Sequence, residues 1–210
     1  MFHPTLRYIS IILMICWPIV TLGYYGITFS MANLNDDTFV SFIVSSLVEI
    51  PAYIVVTLFM DVWGRKPLFS LSLISSGALC IGCGLLEEGT TKTVLAMFGK
   101  FFASSSFALV YMFTAELFPT TIRSSAVGIC SLMARIGGIS APQIAIALPK
   151  VTSDAAPFYV MGGCSIFGGV LSLLLPETLG TNLPETFEDV ENIKKNAKPI
   201  WKCVSYAKAE

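Results

Sequence analysis

The feature that most constrains this chain is a series of six apolar segments, each about as long as a membrane-spanning helix. A helix needs about 20 apolar residues to cross the hydrocarbon layer of a bilayer, and short polar separators divide these segments. We therefore predict an all-α polytopic membrane protein with six transmembrane helices, kinked where proline falls inside a span, at Pro18, Pro51 and Pro142. The predicted spans are Tyr8–Ser30, Phe39–Met60, Pro67–Leu86, Val94–Glu116, Ile122–Leu148 and Pro157–Leu175.

The composition agrees with a lipid environment. Of the 210 residues, 54% are hydrophobic and only 13% are charged, whereas a soluble domain usually carries about 25% charged residues. The mean hydropathy is +0.74. The lipid bilayer is therefore the first expected partner. Nucleic acid is not expected as a partner, because there is no basic, water-facing domain to contact phosphates.

The positive charges outside the spans predict the orientation, because Lys and Arg concentrate on the cytoplasmic side. One side carries Arg7, Arg65, Lys66 and Arg123, and five lysines follow the last span, whereas the other side has only Lys92 and Lys150. We predict that the first side and both termini are cytoplasmic, in a multi-pass protein of the plasma membrane. Residues 1–175 would form the transmembrane domain, and residues 176–210 a charged cytoplasmic tail.

Catalysis and metal binding have little support in the sequence. His3 is the only histidine and lies outside the predicted spans, and no Ser–His pair, zinc motif or phosphate-binding loop is evident. Cys80 and Cys83 have CxxC spacing, but no second ligand pair follows and their neighbours are apolar. We therefore expect no enzyme activity, no metal site and no cofactor.

Three polar motifs follow even-numbered spans, on the predicted cytoplasmic side. The first is Asp61-Val62-Trp63-Gly64-Arg65-Lys66, in which Gly64 permits a tight turn. It resembles the D-x-x-G-R-R/K loop of the major facilitator superfamily, which recurs once in each six-helix half. The second motif runs from Glu116 to Arg123 around a proline turn, and the third is Pro176-Glu177-Thr178-Leu179-Gly180.

Together with the helix count, these motifs resemble the C-terminal half of the organic cation, organic anion and carnitine transporter family of the major facilitators. Because that family has twelve spans, we expect this chain to be one half of a transporter. We favour an incomplete chain; the alternative is association with the missing N-terminal six-helix half or with a related chain. Further matching residues are Tyr24-Tyr25-Gly26, Leu47-Val48-Glu49-Ile50-Pro51-Ala52, Gly99-Lys100-Phe101 and Leu183-Pro184-Glu185-Thr186.

The resemblance implies a gate at the cytoplasmic surface. The gate would be a cluster of charged residues that holds one conformation of the protein and breaks in the other. An exposed salt bridge contributes only about 0–1 kcal/mol, which suits a switch between states of similar free energy. The alternative is that the positive residues only anchor these loops on the cytoplasmic side. The predicted gate residues are Asp61, Gly64, Arg65, Glu116 and Arg123.

Three ionisable side chains lie inside the predicted spans: Glu49, Lys100 and Arg135. A charge at the bilayer centre costs about 2.5–3.5 kcal/mol on the insertion scale, and such groups usually face a cavity or a partner. Glu49 and Arg135 are mid-span, and Lys100 is about two helical turns from the outer end of its predicted span. If all three are charged, one positive charge needs another partner, such as a substrate carboxylate. A purely structural ion pair that ties helices together is the alternative.

The resemblance also bears on the charge of the solute. In the family, members selective for organic cations look acidic at the position of Arg135, whereas members for organic anions are basic there but look non-acidic at the position of Glu49. This chain has both residues, a combination that resembles the carnitine and zwitterion branch. Arg135 would pair with a carboxylate through its guanidinium fork, and Glu49 would meet an ammonium group.

Five aromatic side chains complete the predicted substrate site. Aromatic faces attract quaternary ammonium ions by about 0.5–2 kcal/mol each, although ordinary packing is an alternative reason for their presence. The predicted substrate-binding residues are thus Glu49, Lys100, Arg135, Trp17, Tyr24, Tyr25, Phe107 and Tyr111.

From these features we predict a carrier of small organic cations or zwitterions, such as carnitine-like compounds, that works by alternating access. One alternative is organic anion transport. The other is a non-transporting half-length membrane protein that associates with a full-length relative.

Overall fold

The architecture is taken from a computed structural model, which describes residues 4–34, 38–87, 89–181, 183–185 and 189–190. Within these ranges the chain is all-helical and contains no strand, so the predicted fold class is confirmed. The helices are α1 (Pro4–Leu34), α2 (Thr38–Trp63), α3 (Arg65–Leu85), α4 (Thr90–Leu117), α5 (Arg123–Pro142), a π-helical segment (Gln143–Ala147), α6 (Leu148–Val151) and α7 (Ala156–Ser172).

All six predicted spans are helical, and five of the stretches are long and apolar enough to cross a membrane. These are the apolar parts of α1 to α4 and the continuous stretch Arg123–Val151. The boundaries differ from the predicted ones by a few residues, because a helix continues into polar flanking sequence. Since α4 begins at Thr90 rather than Val94, Lys100 lies about one turn deeper than predicted, roughly three turns from the start of its helix.

The sixth helix is shorter than predicted. α7 has 17 residues and ends at Ser172, whereas the predicted span continues to Leu175. The N–H groups of residues 173–175 bond to carbonyls three residues earlier, so the chain tightens into turns after the helix. Pro176 explains this ending, because the residue before a proline is disfavoured in the α conformation.

Pro142 is followed directly by the π-helical segment. A proline inside a helix lacks an N–H donor, and its ring conflicts with the carbonyl four residues earlier. A wider π turn accommodates such a disruption, which gives a physical reason for the irregular geometry at this position. Pro18 and Pro51, also predicted to disturb their spans, lie within the continuous helices α1 and α2.

α1 and α4 hold the helices together. α1 packs on α4, α5 and α7, α2 packs mainly on α4, and α3 packs on α4 and α7. Burial follows this arrangement, since 61% of the most apolar stretch of α1 is buried within the chain, against 22% for α2 and 28% for Arg123–Val151. The outward apolar faces of α2 and α5 are therefore available to lipid or to another chain.

Interhelical contacts define two ends of the molecule. At one, which we call the charged end, the links α2–α3 and α4–α5 meet the segment after α7: Arg65 contacts Glu116, and Glu177 accepts the backbone N–H of Arg65. The first turns of α1 lie at this end too, because Leu6 belongs to the same buried cluster as Leu175. At the opposite end, the hydroxyl of Tyr159 donates to the carbonyl of Gly84 in the last turn of α3.

The predicted tail is described only in part. Residues 176–181, 183–185 and 189–190 return to the charged end, where the N–H of Thr120 donates to the carbonyl of Pro184 at 3.1 Å. The rest of the predicted tail, including residues 191–210, lies outside the described residues.

Candidate functional site

An aromatic row joins α1 to α4. Tyr24 stacks on Phe107 with ring centroids 4.7 Å apart, and Phe107 contacts Tyr111 at 5.5 Å. Tyr111 meets Trp17 edge-on at 4.4 Å, and at the other end of the row Tyr25 meets Tyr24 at 5.1 Å. The structure thus brings together all five aromatic side chains that the sequence predicted for the substrate site.

The members of the aromatic row differ in exposure. Trp17 is only 1% exposed, and its indole N–H donates to Thr114 Oγ1 at 3.0 Å. Since this bond ties α1 to α4, packing accounts for the presence of Trp17. Tyr25 and Tyr111 are each 38% exposed and are the most accessible side chains of the row, since Tyr24 and Phe107 are partly buried.

Lys100 lies against the aromatic row and forms an ion pair with Glu49. Its Nζ is 2.9 Å from Glu49 Oε1, donates to Thr28 Oγ1 at 2.7 Å and lies 3.4 Å from the centroid of the Tyr24 ring. An ammonium group has three N–H donors, and these three neighbours are enough to occupy all of them. The side chain of Lys100 is 1% exposed and that of Glu49 is 19% exposed.

Two tyrosine hydroxyls complete the surroundings of Glu49. Tyr24 donates to Oε1 at 2.6 Å and Tyr53 donates to Oε2 at 3.3 Å. Sequence reasoning missed Tyr53 and Thr28, although helical spacing was an available signal. Each lies four residues after a predicted site residue, Glu49 or Tyr24, and therefore on the same helix face.

Arg135 is exposed on α5. The neighbouring positions Ala134 and Gly137 are buried where α5 packs on α1, which turns Arg135 away from that contact. Among the described residues, the Arg135 guanidinium has no ion pair or hydrogen bond. Because Lys100 is the ionic partner of Glu49, Arg135 is the one of the three charges within the spans that has no counterion among the described residues.

Glu49 and Arg135 lie at similar depths on two helices that both contact α1. Glu49 precedes Asp61 by twelve residues, and Arg135 follows Arg123 by twelve. At about 1.5 Å per residue, each is about 18 Å of helix from the charged end, which is near the middle of a hydrocarbon layer about 30 Å thick. No ion pair joins Glu49 to Arg135 among the described residues, and Glu49 pairs with Lys100 instead.

At the charged end, Arg65 bridges two of the predicted gate residues. Its guanidinium lies 3.0 Å from Asp61 and 3.1 Å from Glu116. Thr178, from the segment after α7, donates its hydroxyl to Glu116 Oε2 at 2.5 Å. Helices α2, α3 and α4 are thereby connected to the chain that follows α7.

Glu177 is the residue of the charged end that sequence reasoning left out of the predicted gate. It is 5% exposed, and its carboxylate accepts the N–H groups of Arg65 at 3.0 Å and Lys66 at 3.1 Å. It also accepts the N–H groups of Thr178 and Leu179. The first N–H groups of a helix lack partners within the helix and favour an anion, so Glu177 caps α3. Its place in the motif Pro176–Gly180 was the available signal.

Gly64 alone connects α2 to α3. Its φ of +93° and ψ of 159° belong to a region that is essentially restricted to glycine. A Cβ at this position would lie 3.0 Å from Glu177 Oε2, which is closer than ordinary contact. The tight turn expected at Gly64 is therefore present, and it brings the start of α3 against Glu177.

Arg123 stands apart from these contacts. It is the first residue of α5, and its Nε and Nη2 atoms are buried without a hydrogen-bond partner among the described residues. The structure thus joins Asp61, Arg65 and Glu116 and adds Glu177 to them, whereas Arg123 takes part in no ion pair within the described part of the chain.

Comparison with known proteins shows the family of this chain. A family model described as Major Facilitator Superfamily matches residues 6–208. The chain is 34% identical over 199 residues to an organic cation transporter protein of Drosophila melanogaster, and 37% identical over 199 residues to solute carrier family 22 member 6-A of Xenopus laevis. It is 32% identical over 191 residues to the human organic cation/carnitine transporter 2. These matches cover 90–94% of this chain but 34–36% of the relatives, so the chain spans about a third of their length.

Proposed function

Because this chain belongs to the major facilitator superfamily, we propose that it forms the substrate-binding half of a carrier for small organic ions that bear a carboxylate. Zwitterions, such as carnitine-like compounds, are the first candidates. The observation that supports this proposal is Arg135, an exposed mid-span cation without a counterion among the described residues. The name of the human relative, organic cation/carnitine transporter 2, agrees with this class of solute.

Arg135 would bind the carboxylate. Its planar guanidinium matches the two carboxylate oxygens and forms charge-assisted hydrogen bonds that are roughly twice as strong as neutral ones. The exposed rings of Tyr25 and Tyr111 would contact the remainder of the solute. The ammonium group of a zwitterion would approach Glu49, whose side chain is 19% exposed.

Transport would proceed by alternating access. In this superfamily the substrate lies near the midplane between two halves that rock about it. The mostly unburied faces of α2 and of Arg123–Val151 are suited to contact a second half. The contacts among Asp61, Arg65, Glu116 and Glu177 would hold one conformation, with the charged end cytoplasmic in the plasma membrane.

Organic anion transport is the second candidate. The specific observation that favours it is the ion pair between Glu49 and Lys100, which balances the negative charge of the site within the chain. The unbalanced charge is then the single positive charge of Arg135. A solute with a carboxylate and no ammonium group would satisfy it completely.

The test is carboxylate binding to the purified chain in lipid nanodiscs. We expect Arg135→Gln to weaken binding by tenfold or more, because a hydrogen bond to a charged group contributes about 1.5–3 kcal/mol, whereas Arg135→Lys should retain part of the affinity. Lys150→Gln, at an exposed position, is the matched control. Unchanged carboxylate affinity in folded Arg135→Gln would contradict the proposal.

A matched pair of solutes separates the two candidates. One is a carnitine-like zwitterion, and the other is its isostere in which a tert-butyl group replaces the trimethylammonium group. Tighter binding of the zwitterion favours the first candidate, and equal or tighter binding of the isostere favours organic anions.

A further inference from the structure

The ammonium group of Lys100 has the surroundings of a bound ligand. It faces the ring of Tyr24 at 3.4 Å, the carboxylate of Glu49 at 2.9 Å and the hydroxyl of Thr28 at 2.7 Å. An aromatic face together with a carboxylate is the combination by which proteins recognise alkylammonium ions. The chain therefore contains a cation site, and a side chain of the chain already fills it.

The two sides of this cation site differ in exposure. Lys100 approaches from the interior, with its side chain 1% exposed, whereas the side chain of Glu49 is 19% exposed. Tyr53, which also donates to Glu49, is 38% exposed. An external ammonium ion would therefore reach the same carboxylate from the open side, and it would compete with Lys100 for Glu49 and for the Tyr24 ring.

We propose that Lys100 is a tethered cation that occupies the ammonium position of the substrate site and thereby determines which charge class of solute the site accepts. With Lys100 in place, Glu49 is balanced and Arg135 selects carboxylates. Without the Lys100 charge, Glu49 and Tyr24 form a site for alkylammonium cations. The inference rests on the proposed function, because it assumes that solutes bind beside Glu49 and Arg135.

A purely structural ion pair makes a different prediction. Removing one partner of a buried pair destabilises the protein because it leaves the other charge uncompensated. A structural role therefore predicts only a loss of stability when Lys100 is replaced. The tethered-cation role predicts in addition that an external cation takes the vacated position.

The experiment measures binding of tetramethylammonium to the purified chain in nanodiscs by titration calorimetry. We expect Lys100→Met to bind tetramethylammonium at least tenfold more tightly than the unsubstituted chain, and Lys100→Arg to remain as weak as the unsubstituted chain. The double variant Glu49→Gln/Lys100→Met has no uncompensated charge in the pair and serves as the control for folding. It should lose the gain in cation affinity, and a folded Lys100→Met without any gain would overturn the proposal.

The folding of Lys100→Met provides a second measurement. If this variant unfolds by itself, tetramethylammonium should restore its folded yield, and the double variant should fold without it. Failure of the cation to restore Lys100→Met would also overturn the proposal.

Carboxylate binding, measured on the same preparations, separates this inference from the proposed function. If carboxylate binding requires Arg135 but Lys100→Met gains no cation binding, only the tethered-cation inference fails. If Lys100→Met gains cation binding while Arg135→Gln keeps its carboxylate affinity, the proposed role of Arg135 fails.

Discussion

At the scale of single residues, the charged end depends on a glycine and a glutamate that require each other. Gly64 needs φ +93°, and the missing side chain leaves room for the carboxylate of Glu177. Glu177 in turn satisfies four backbone N–H groups, two of them at the start of α3. The one-residue link between α2 and α3 is therefore stabilised by the segment that follows α7.

Gly64→Ala should destabilise the chain more than Gly180→Ala. Both glycines have positive φ, +93° and +72°, but an added Cβ meets Glu177 only at Gly64 and has nothing within 4 Å at Gly180. We expect Gly180→Ala to cost about 1–2 kcal/mol of backbone strain, and Gly64→Ala to cost about 1–3 kcal/mol of strain plus weakened bonds to Glu177. Thermal unfolding in nanodiscs measures both, and equal losses would show that Glu177 is not constrained by Gly64.

Glu177→Gln should loosen the start of α3. The amide keeps one acceptor oxygen and presents N–H donors in place of the other, so the backbone N–H groups at one of the two positions lose their acceptor. An unsatisfied buried donor costs about 1–3 kcal/mol. Hydrogen exchange should become faster at the amide of Lys66, which bonds to Oε2, or at those of Arg65 and Leu179, which bond to Oε1. The control is Glu87→Gln, the same substitution at an exposed position at the opposite end, which should leave these amides unchanged. Retained protection in Glu177→Gln would argue against the cap.

At the scale of helices, the contact between α3 and α7 relies on backbone proximity. A Cβ on Gly162 would lie 2.8 Å from the carbonyl oxygen of Gly77, and one on Gly77 would lie 2.7 Å from that of Gly162. Nearby, Ser70 donates its hydroxyl to the carbonyl of Gly169 at 2.9 Å. Small residues allow such approach in membranes, where packing and interhelical hydrogen bonds replace the hydrophobic effect.

Gly162→Ala and Gly163→Ala form a matched pair on α7. The first places a methyl group against backbone and Ile81, whereas the second has nothing within 4 Å. We expect Gly162→Ala to cost about 1–3 kcal/mol through overpacking and Gly163→Ala to be neutral or stabilising by up to about 1 kcal/mol, because alanine is the better helix former. Melting temperatures of the two variants check this, and similar values would contradict the close α3–α7 contact.

At the scale of the whole molecule, the burial of the helices is uneven. α1 is the most buried of the long helices, whereas α2 and Arg123–Val151 keep most of their apolar surface outside the chain. Glu49 and Arg135, the two mid-span charges of the proposed substrate site, are on these two poorly buried helices. A carrier that binds its solute between two halves would need a second half against this side.

Flux should therefore require a second half. In vesicles, we expect the chain alone to bind a carnitine-like zwitterion without net flux. Co-expression with the segment of the Drosophila relative that lies outside the match should produce saturable uptake, and Arg135→Gln should abolish it. Net flux from the chain alone would contradict this expectation. Binding without flux in both preparations would favour the non-transporting alternative.

Much of the central site could be predicted from residue type and spacing. Charged residues in apolar spans are costly, which identified Glu49, Lys100 and Arg135 as candidates. Aromatic residues at helical spacing, such as Phe107 and Tyr111, share a helix face, so their contact could also be expected. The partner of Glu49 could not be predicted, because two cations were available and only the packing of α2 on α4 favours Lys100. Arg123 illustrates the same limit at the charged end. The resemblance implied a charge cluster that includes it, but Arg123 has no ion pair among the described residues.

The all-α class and the six apolar helical segments could be predicted from long apolar runs, polar separators and glycine and proline positions, because the bilayer admits few backbone structures. The observed ends of the helices differ from the predicted ends where local backbone preferences apply, as before Pro176. Only the arrangement of the helices in space decides the pairing of charges, the cap that Glu177 places on α3 and the burial of Trp17. Each of these contacts joins residues far apart in the chain, and side chains on different helices meet only after those helices have packed.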